Sequence, residues 1–536
     1  MQEVPVQVGV SARSRYEAME TLRSQFLSRA RQCAALTVPW VMPPNDYANG
    51  QELPTPYQSV GARGVNHLSS ALLLALFPPN ASFFQYKVEP YLLDKVGDKI
   101  REQTESNLRK AEDAMLSEME TSGCRAIEHE ALRHLLVAGN VVVYWPDDGH
   151  KMRTYHLDNY CAERSADGRV TALVLRDRLT VSSLDSATRA VVDQWAAKDP
   201  ATVANMQIGQ APTVDVYTEV LWDQEKKTYR TRQEVCNQTI PGTEGTFKPE
   251  DLPYIVLRGN IVSGESYGRG HVEDHLGDLT SLEGLAQSIV EASAAAARVL
   301  FLVNPAGQTD IEEITGLPNG AYAPGRKDDI GAAGLEKFAD LQVTRATAEA
   351  IEQRLALAFL LNTSVQRQAE RVTATEVRWV AQELEKGLGG MYSLLSQEFQ
   401  LPLVKLVEKR MTRAGTLPPI DRKLIKPTIV AGIEALGRGT DADNLEMVFR
   451  ALAEILTPPV LAQRINPGTC ILRFLNARGV RDDGLIRTDE EVAQENQRNM
   501  LASMVQKLGP EGMKQMGENY RQGVDMSQQG AAPEGA

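Results

Sequence analysis

Residues 304–342 contain Pro305, Gly307, Gly316, Pro318, Gly320, Pro324 and Gly325, a density of breakers that no continuous helix tolerates. Both flanks read as helix. Segment 271–299 places Leu276, Leu279, Leu282, Leu285, Ile289 and Val290 at helical spacing, and helical spacing returns at 344–361. Helix, loop-rich insert and helix in that order predict a hairpin of long helices capped by a small irregular domain. The rest of the fold has to carry that projection.

Upstream, residues 13–36 predict an amphipathic helix with Tyr16, Met19, Leu22, Phe26 and Ala30 on one stripe, and 39–56 a Pro-rich loop. Val60–Phe77 predicts a second helix stopped by Pro78-Pro79, and 97–138 a charged helical region. Val141–Trp145, Ala172–Leu179, Val214–Leu221 and Tyr254–Leu257 are short β-branched or aromatic runs between turns, read as strands. The first half is therefore α+β. After the hairpin, helical spacing spans 373–412 with a soft point at Gly387, Gly389 and Gly390, and a last helical region covers about 428–480. The tail beyond about 505, rich in Gln, Gly, Met and Ala, has no core pattern. The 536 residues exceed the roughly 250–300 at which one core stops growing, so several domains are expected.

Composition removes several function classes. With 70 acidic against 57 basic residues, net −13, the chain is not a basic nucleic-acid binder held by phosphate neutralisation. Cys33, Cys124, Cys161, Cys236 and Cys470 form no C-x-x-C pair and read as free thiols in a reducing, cytosolic-type setting. No N-terminal signal stands out, and no apolar run reaches the roughly 18 uncharged residues of a membrane span.

Enzymatic signatures are missing as well. Gly-Lys does not occur as a dipeptide, so there is no G-x-x-x-x-G-K-[ST] phosphate loop. The stretch Gly264-Glu-Ser-Tyr-Gly268-Arg-Gly270 lacks dinucleotide spacing and reads as a turn feeding the helix at 271. His271 and His275 stand one helical turn apart but without H-E-x-x-H order or a third ligand, and read as surface histidines at an acidic helix start. Gly264-Glu-Ser-Tyr-Gly268 spells G-x-S-x-G, but it lies in the stretch read as a turn, and the sequence reveals no histidine paired with that serine. The reading is a non-enzyme with no cofactor, metal or catalytic residue.

Charge is segregated along the hairpin. Segment 271–298 holds five acids against Arg298, and 299–343 seven acids against three bases, each a net −4; residues 404–426 hold seven bases and two acids, a net +5. The block Ala292–Ala297 suits either strong helix propensity or close packing of the helix against neighbours.

Several stretches resemble the portal (head-to-tail connector) proteins of short-tailed, autographivirus-type bacteriophages. They are Tyr57-Gln-Ser-Val-Gly-Ala-Arg-Gly-Val-Asn-His-Leu-Ser-Ser70 running into the next helix, Val137-Ala-Gly-Asn140, and Gly264–Arg269 with Leu276–Glu283. Leu302-Val-Asn-Pro-Ala-Gly307, Leu361–Val404 with Glu370-Arg-Val-Thr-Ala-Thr-Glu376 and Leu388-Gly-Gly390, and Gly432–Gly439 complete the series. The resemblance follows nearly the whole chain in order, weakening in the first dozen residues, around 183–212, within 308–335 and in the tail.

The resemblance implies an α+β portal fold: an α/β wing, a two-helix stem, a small mixed clip, a long wing helix and a helical crown, assembled as a ring of about twelve copies. It maps the wing to 1–268 and 373–427, the stem helices to 269–298 and 344–361, the clip to 299–343, the tunnel loop to 362–372, the crown to 428–500 and a flexible tail to 501–536. The ring would stand at one capsid vertex of the virion, made in the host cytoplasm, with a channel through which double-stranded DNA is packaged and later ejected. Its implied partners are itself, DNA held transiently and without sequence preference, the terminase large subunit, tail adaptor proteins, scaffold and major capsid protein, and no membrane. Gln366, Arg367, Gln368 and Arg371 would meet DNA in the tunnel loop, and Asp278, Glu283 and Glu291 would give the stem an acidic channel lining. Ala292, Ala295 and Ala296 would pack subunits together, and Asp310, Arg326, Lys327 and Asp328 would face terminase or tail. A metal-dependent DNA hydrolase and an architectural tail adaptor ring without DNA passage are the alternative readings.

Overall fold

The computed structural model describes residues 10–78 (46 and 49 excepted), 82–88, 98–146, 151–198, 213–296, 300–307, 329–333, 338–361, 390–418 and 425–429, with shorter stretches between them and scattered positions up to Ser503. The chain divides into two compact units, Met1–Ile433 and Glu434–Ala536. In the second, the described residues are helical positions such as Glu446 and Arg450, which pair across one turn at 3.4 Å.

The first unit opens with helix α1 (Ala12–Ala35), which lies on a sheet. That sheet is antiparallel, in the order β4 (Tyr160–Arg164), β5 (Val170–Thr180), β6 (Thr213–Asp223), β7 (Thr228–Val235) and β8 (Gln238–Thr239), with β9 (Gly245–Phe247) also on β7. Buried Glu234 of β7 accepts the Ala12 amide at 2.8 Å, placing a negative charge at the helix N-terminus where the peptide dipoles favour it. Further along, Arg23 is 1% exposed and donates to Tyr16 Oη and to the carbonyls of Asp158 and Tyr160. A buried guanidinium is tolerated because these acceptors replace its water.

The main core lies between α2 (Val60–Leu76), α3 (Asp98–Thr121), α4 (Cys124–Ala138) and the three-stranded sheet β10 (Tyr254–Arg258), β2 (Asn140–Tyr144), β3 (Arg153–His156). Leu68, Leu72, Leu132, Leu135 and Val141–Val143 are fully buried, each worth about 1.5–3 kcal/mol of apolar transfer. An unbroken Val-Val-Val is what a strand covered on both faces requires. Phe77 packs edge-on against Phe83 and Phe399, both at 5.2 Å. The charged helical region 97–138 is two helices, broken at Gly123 with φ +72°.

Two helices form the hairpin: α6 (Leu276–Ala296), preceded by the single turn His271–Asp274, and α7 (Phe338–Ala358). The earlier helix Ser186–Lys198 is α5. Between the arms, β11 (Leu300–Val303) pairs antiparallel with β12 (Ile330–Ala333). The second arm begins at Phe338, six residues before the periodic pattern becomes legible at 344. Past the hairpin, α8 (Gly390–Leu395) passes through a π-helical segment, Ser396–Gln400, into α9 (Leu401–Ala414). The segment 373–383 lies outside the described residues. At 428–429 the chain is strand rather than the expected helix: β13 (Ile425–Ile429) pairs with β1 (Phe84–Val88), because Ile425, Pro427 and Ile429 share the face of Phe84, Tyr86 and Val88.

Candidate functional site at the base of the helical hairpin

Two of the motifs that carry the resemblance converge where the hairpin leaves the body. Gly139 closes α4 at φ +69°, and a Cβ there would lie 2.4 Å from the Arg269 carbonyl carbon. A Cβ on Gly268 would come within 2.6 Å of Gly259 N, and one on Gly270 within 2.7 Å of Leu136 O. Val137–Asn140 and Gly268–Gly270 therefore meet backbone to backbone, a separation that only glycine permits. The Asn140 side chain closes the contact: Oδ1 accepts the Gly268 amide at 2.8 Å, while Nδ2 donates to the carbonyls of Gly268 at 2.7 Å and Ala138 at 3.0 Å. The glycine-rich stretch is the expected turn feeding the helix at 271.

Charged groups surround this base. Arg269 pairs with Glu265 at 2.7 Å and Glu273 at 2.8 Å, and Arg29 of α1 also reaches Glu273 at 3.1 Å. Glu283 of α6 accepts the amides of Tyr57 and Gln58 at 2.8 and 3.2 Å, tying the first arm to the chain entering α2. Asp278 pairs with Arg354 of α7 at 2.9 Å, which joins the two arms. Glu291 is exposed and accepts from Gln287 at 2.8 Å, one turn away. All three acids expected along a channel wall thus have a partner within the subunit, and only the partner of Asp278 is a charged one.

His271 corrects an expectation. It is 8% exposed rather than a surface residue, and Nε2 donates to the Ala358 carbonyl at 3.1 Å, so the first arm also grips the end of the second. Burial lowers its pKa. The sequence could not reveal this, because the neighbour that buries it lies 87 positions away.

The other expected site residues distribute as follows. Ala292 is half-buried and Ala295 exposed on α6; Ala296 is in the same helix, its side chain outside the described residues. Val290, Val343 and Leu357 are large apolar side chains of the hairpin exposed at 53%, 68% and 62%. Arg326 is exposed. Asp310, Lys327, Asp328, Gln366, Arg367, Gln368 and Arg371 lie outside the described residues. Asn140, Arg354 and Phe359 were not singled out from sequence; Asn140 alone had a signal, its place in the Val137–Asn140 motif.

Among the described residues, no group of three His, Cys, Asp or Glu side chains is placed to hold a metal ion, and no helix is long and apolar enough to cross a membrane.

Comparison with known proteins gives a consistent result. The portal protein of Escherichia phage T7 is 38% identical over 491 residues, covering 90% of this chain and 89% of the relative. That of Enterobacteria phage T3 is 38% identical over 487 residues with the same coverage, and that of Enterobacteria phage SP6 is 29% identical over 489 residues, 90% of each chain. Among solved structures, the neck of an empty GTA particle computed with C6 symmetry aligns with 79% of this chain and 90% of that chain, at 13% identity and a TM-score of 0.39. Residues 10–486 match the family described as bacteriophage head to tail connecting protein. A match of that extent, with two portal proteins aligned along nine-tenths of the chain at 38% identity, places this chain in the bacteriophage head-to-tail connecting protein family.

Proposed function

We propose that this chain is a portal protein. Copies of it assemble into a ring at one capsid vertex, forming the channel through which double-stranded DNA enters during packaging and leaves at ejection. The observation that carries this reading is the chain-long likeness to phage portal proteins, which spans nine-tenths of both sequences. The hairpin supports it. Val290, Val343 and Leu357 expose apolar surface that a lone subunit leaves in water, and a neighbouring copy in a closed ring would cover it. In this reading α6 and α7 are the stem, the segment between them the clip, 362–372 the tunnel loop, and the residues beyond 428 the crown. The clip docks the terminase large subunit and then tail adaptor proteins, while scaffold and major capsid protein hold the ring in the shell of the virion.

The chemistry is that of a conduit. DNA has to slide, and every neutralised phosphate adds affinity through counterion release, so a wall that binds tightly is a defect. An acidic surface repels phosphate over about 8 Å at physiological salt. Because Arg354 offsets the charge of Asp278, Glu283 and Glu291 and their symmetry copies, whose partners are neutral, carry more of that repulsion. Arg367 and Arg371, with Gln366 and Gln368, supply transient, sequence-blind phosphate contacts.

Capsids assembled with this chain, its scaffold and its capsid protein test the proposal directly. They are expected to package DNA, whereas capsids assembled without the chain are not. Arg367→Ala with Arg371→Ala should leave rings intact and lower packaging or retention; unchanged packaging would assign both arginines to subunit salt bridges.

A further inference from the structure

The last turn of α7 ends in an unusual way. The Leu361 amide donates to the Ala356 carbonyl at 2.8 Å and the Leu360 amide to the Leu357 carbonyl at 3.1 Å, the paired bonds of a Schellman cap. The residue after such a cap sits in the left-handed region and is usually glycine; here it is Leu360, at φ +55°. A side chain in that conformation is strained, so something must hold it. Its side chain packs on Gly387, where a Cβ would lie 3.2 Å from both Leu360 methyl carbons.

The preceding residue shows how the turn is held. Phe359 is fully buried, and a Cβ added to Gly64 of α2 would lie 2.4 Å from its ring. The ring meets His271 edge-on at 5.6 Å and His275 at 5.9 Å. Two histidines then reach the backbone around it: His271 bonds the Ala358 carbonyl at 3.1 Å, and His67 hydrogen-bonds the backbone of Leu360. Gly64 and His67 both belong to the Tyr57–Ser70 motif, and His271 opens the first arm. Three separate segments thus converge on one turn.

We propose that Gly64, His67, His271 and His275 form a socket for Phe359, and that Phe359 and Leu360 are positioning residues that fix the direction in which the chain leaves the second arm. The functional part of this inference rests on the portal reading; the socket itself does not. Glycine after the cap would be free of that strain but would lose the packing on Gly387 and leave the exit of the chain less restricted. Leucine there fixes the exit through its packing.

Hydrogen exchange on the full assembled protein tests the socket. In the wild type the Leu360 and Leu361 amides should be protected. Gly64→Ala should speed their exchange at least tenfold without changing the middle of α7, and Phe359→Leu in the same background should restore protection by making room for the new methyl. Unchanged protection in Gly64→Ala, or faster exchange spread evenly along α7, would overturn the proposal. If Gly64→Ala yields no folded protein, Phe359→Leu alone gives the same reading, with faster exchange confined to 358–361 in support and none against. For the functional arm, Leu360→Gly should keep ring mass yet lower DNA packaging several-fold; wild-type packaging would refute the positioning role. Wild-type rings that package no DNA would instead refute the portal reading and leave the exchange result standing.

Discussion

Asn140 and Gly268 hold each other by reciprocal hydrogen bonds: the Gly268 amide donates to Asn140 Oδ1 at 2.8 Å, and Asn140 Nδ2 donates to the Gly268 carbonyl at 2.7 Å. The pair is buried and joins the end of α4 to the turn from which the hairpin rises.

Asn140→Ala should therefore destabilise the protein by about 2–4 kcal/mol, because the buried Gly268 amide and two carbonyls lose their partner without gaining water. Chemical denaturation measures it. Gly139→Ala should cost more, since the residue at φ +69° would drive its methyl into the Arg269 backbone.

The Asp278–Arg354 pair joins the two arms but is largely solvated, its side chains 36% and 63% exposed. Arg354→Ala is expected to change stability by no more than about 1 kcal/mol. A loss several times larger would mean that the pair is buried in the assembly.

Two buried groups predict the pH profile. Burial, reinforced by the neighbouring His156, pushes His134 down from 6.5 to about 3. The fold holds the neutral ring, so this contribution is present above 6.5 and lost as pH falls from there towards 3. Burial pushes Glu128 up from 4.5 to about 8, opposed by Arg125. The fold holds the protonated acid, so this contribution is complete below 4.5 and lost as pH rises through about 8. Between 4.5 and 6.5 these two trends oppose each other, but burial also lowers His67, His129, His156 and His271, so stability should fall as pH drops below about 6.5 as well as when it rises above it. Denaturation series from about pH 4 to 9 should show the alkaline limb flattened in Glu128→Gln; an equally steep limb would contradict the assignment.

Ala295 is exposed in α6, and a larger side chain there has room in the single subunit but not in a crowded ring. Ala295→Leu should leave the subunit's melting temperature within about 1 °C while impairing ring assembly, read by native mass. Normal rings would show that the alanine block serves helix propensity alone.

What the sequence revealed follows from the range of the forces involved. The strands at 141–145, 172–179, 214–221 and 254–257 were legible because burial imposes a local pattern on them, and the hairpin because its glycines and prolines mark off its arms. The β1–β13 pair was not, since Phe84 and Ile429 recognise each other across 345 positions of chain. His271 was misread for the same reason: helical spacing places it on a helix, but only Phe359 and Ala358 make it an interior residue. Glu283 was expected only as an acid of the channel lining, because the amides of Tyr57 and Gln58 that it accepts lie more than 220 positions away. The base of the hairpin was half visible, as motifs without a stated job; their convergence supplies the job.

The most direct test of the portal assignment is the native mass of the purified protein together with its projected symmetry in negative stain. The account predicts a closed ring of about twelve copies with an open centre wide enough for a DNA duplex. A monomer or dimer that persists at high concentration, or a ring whose centre is too narrow for duplex DNA, would contradict it.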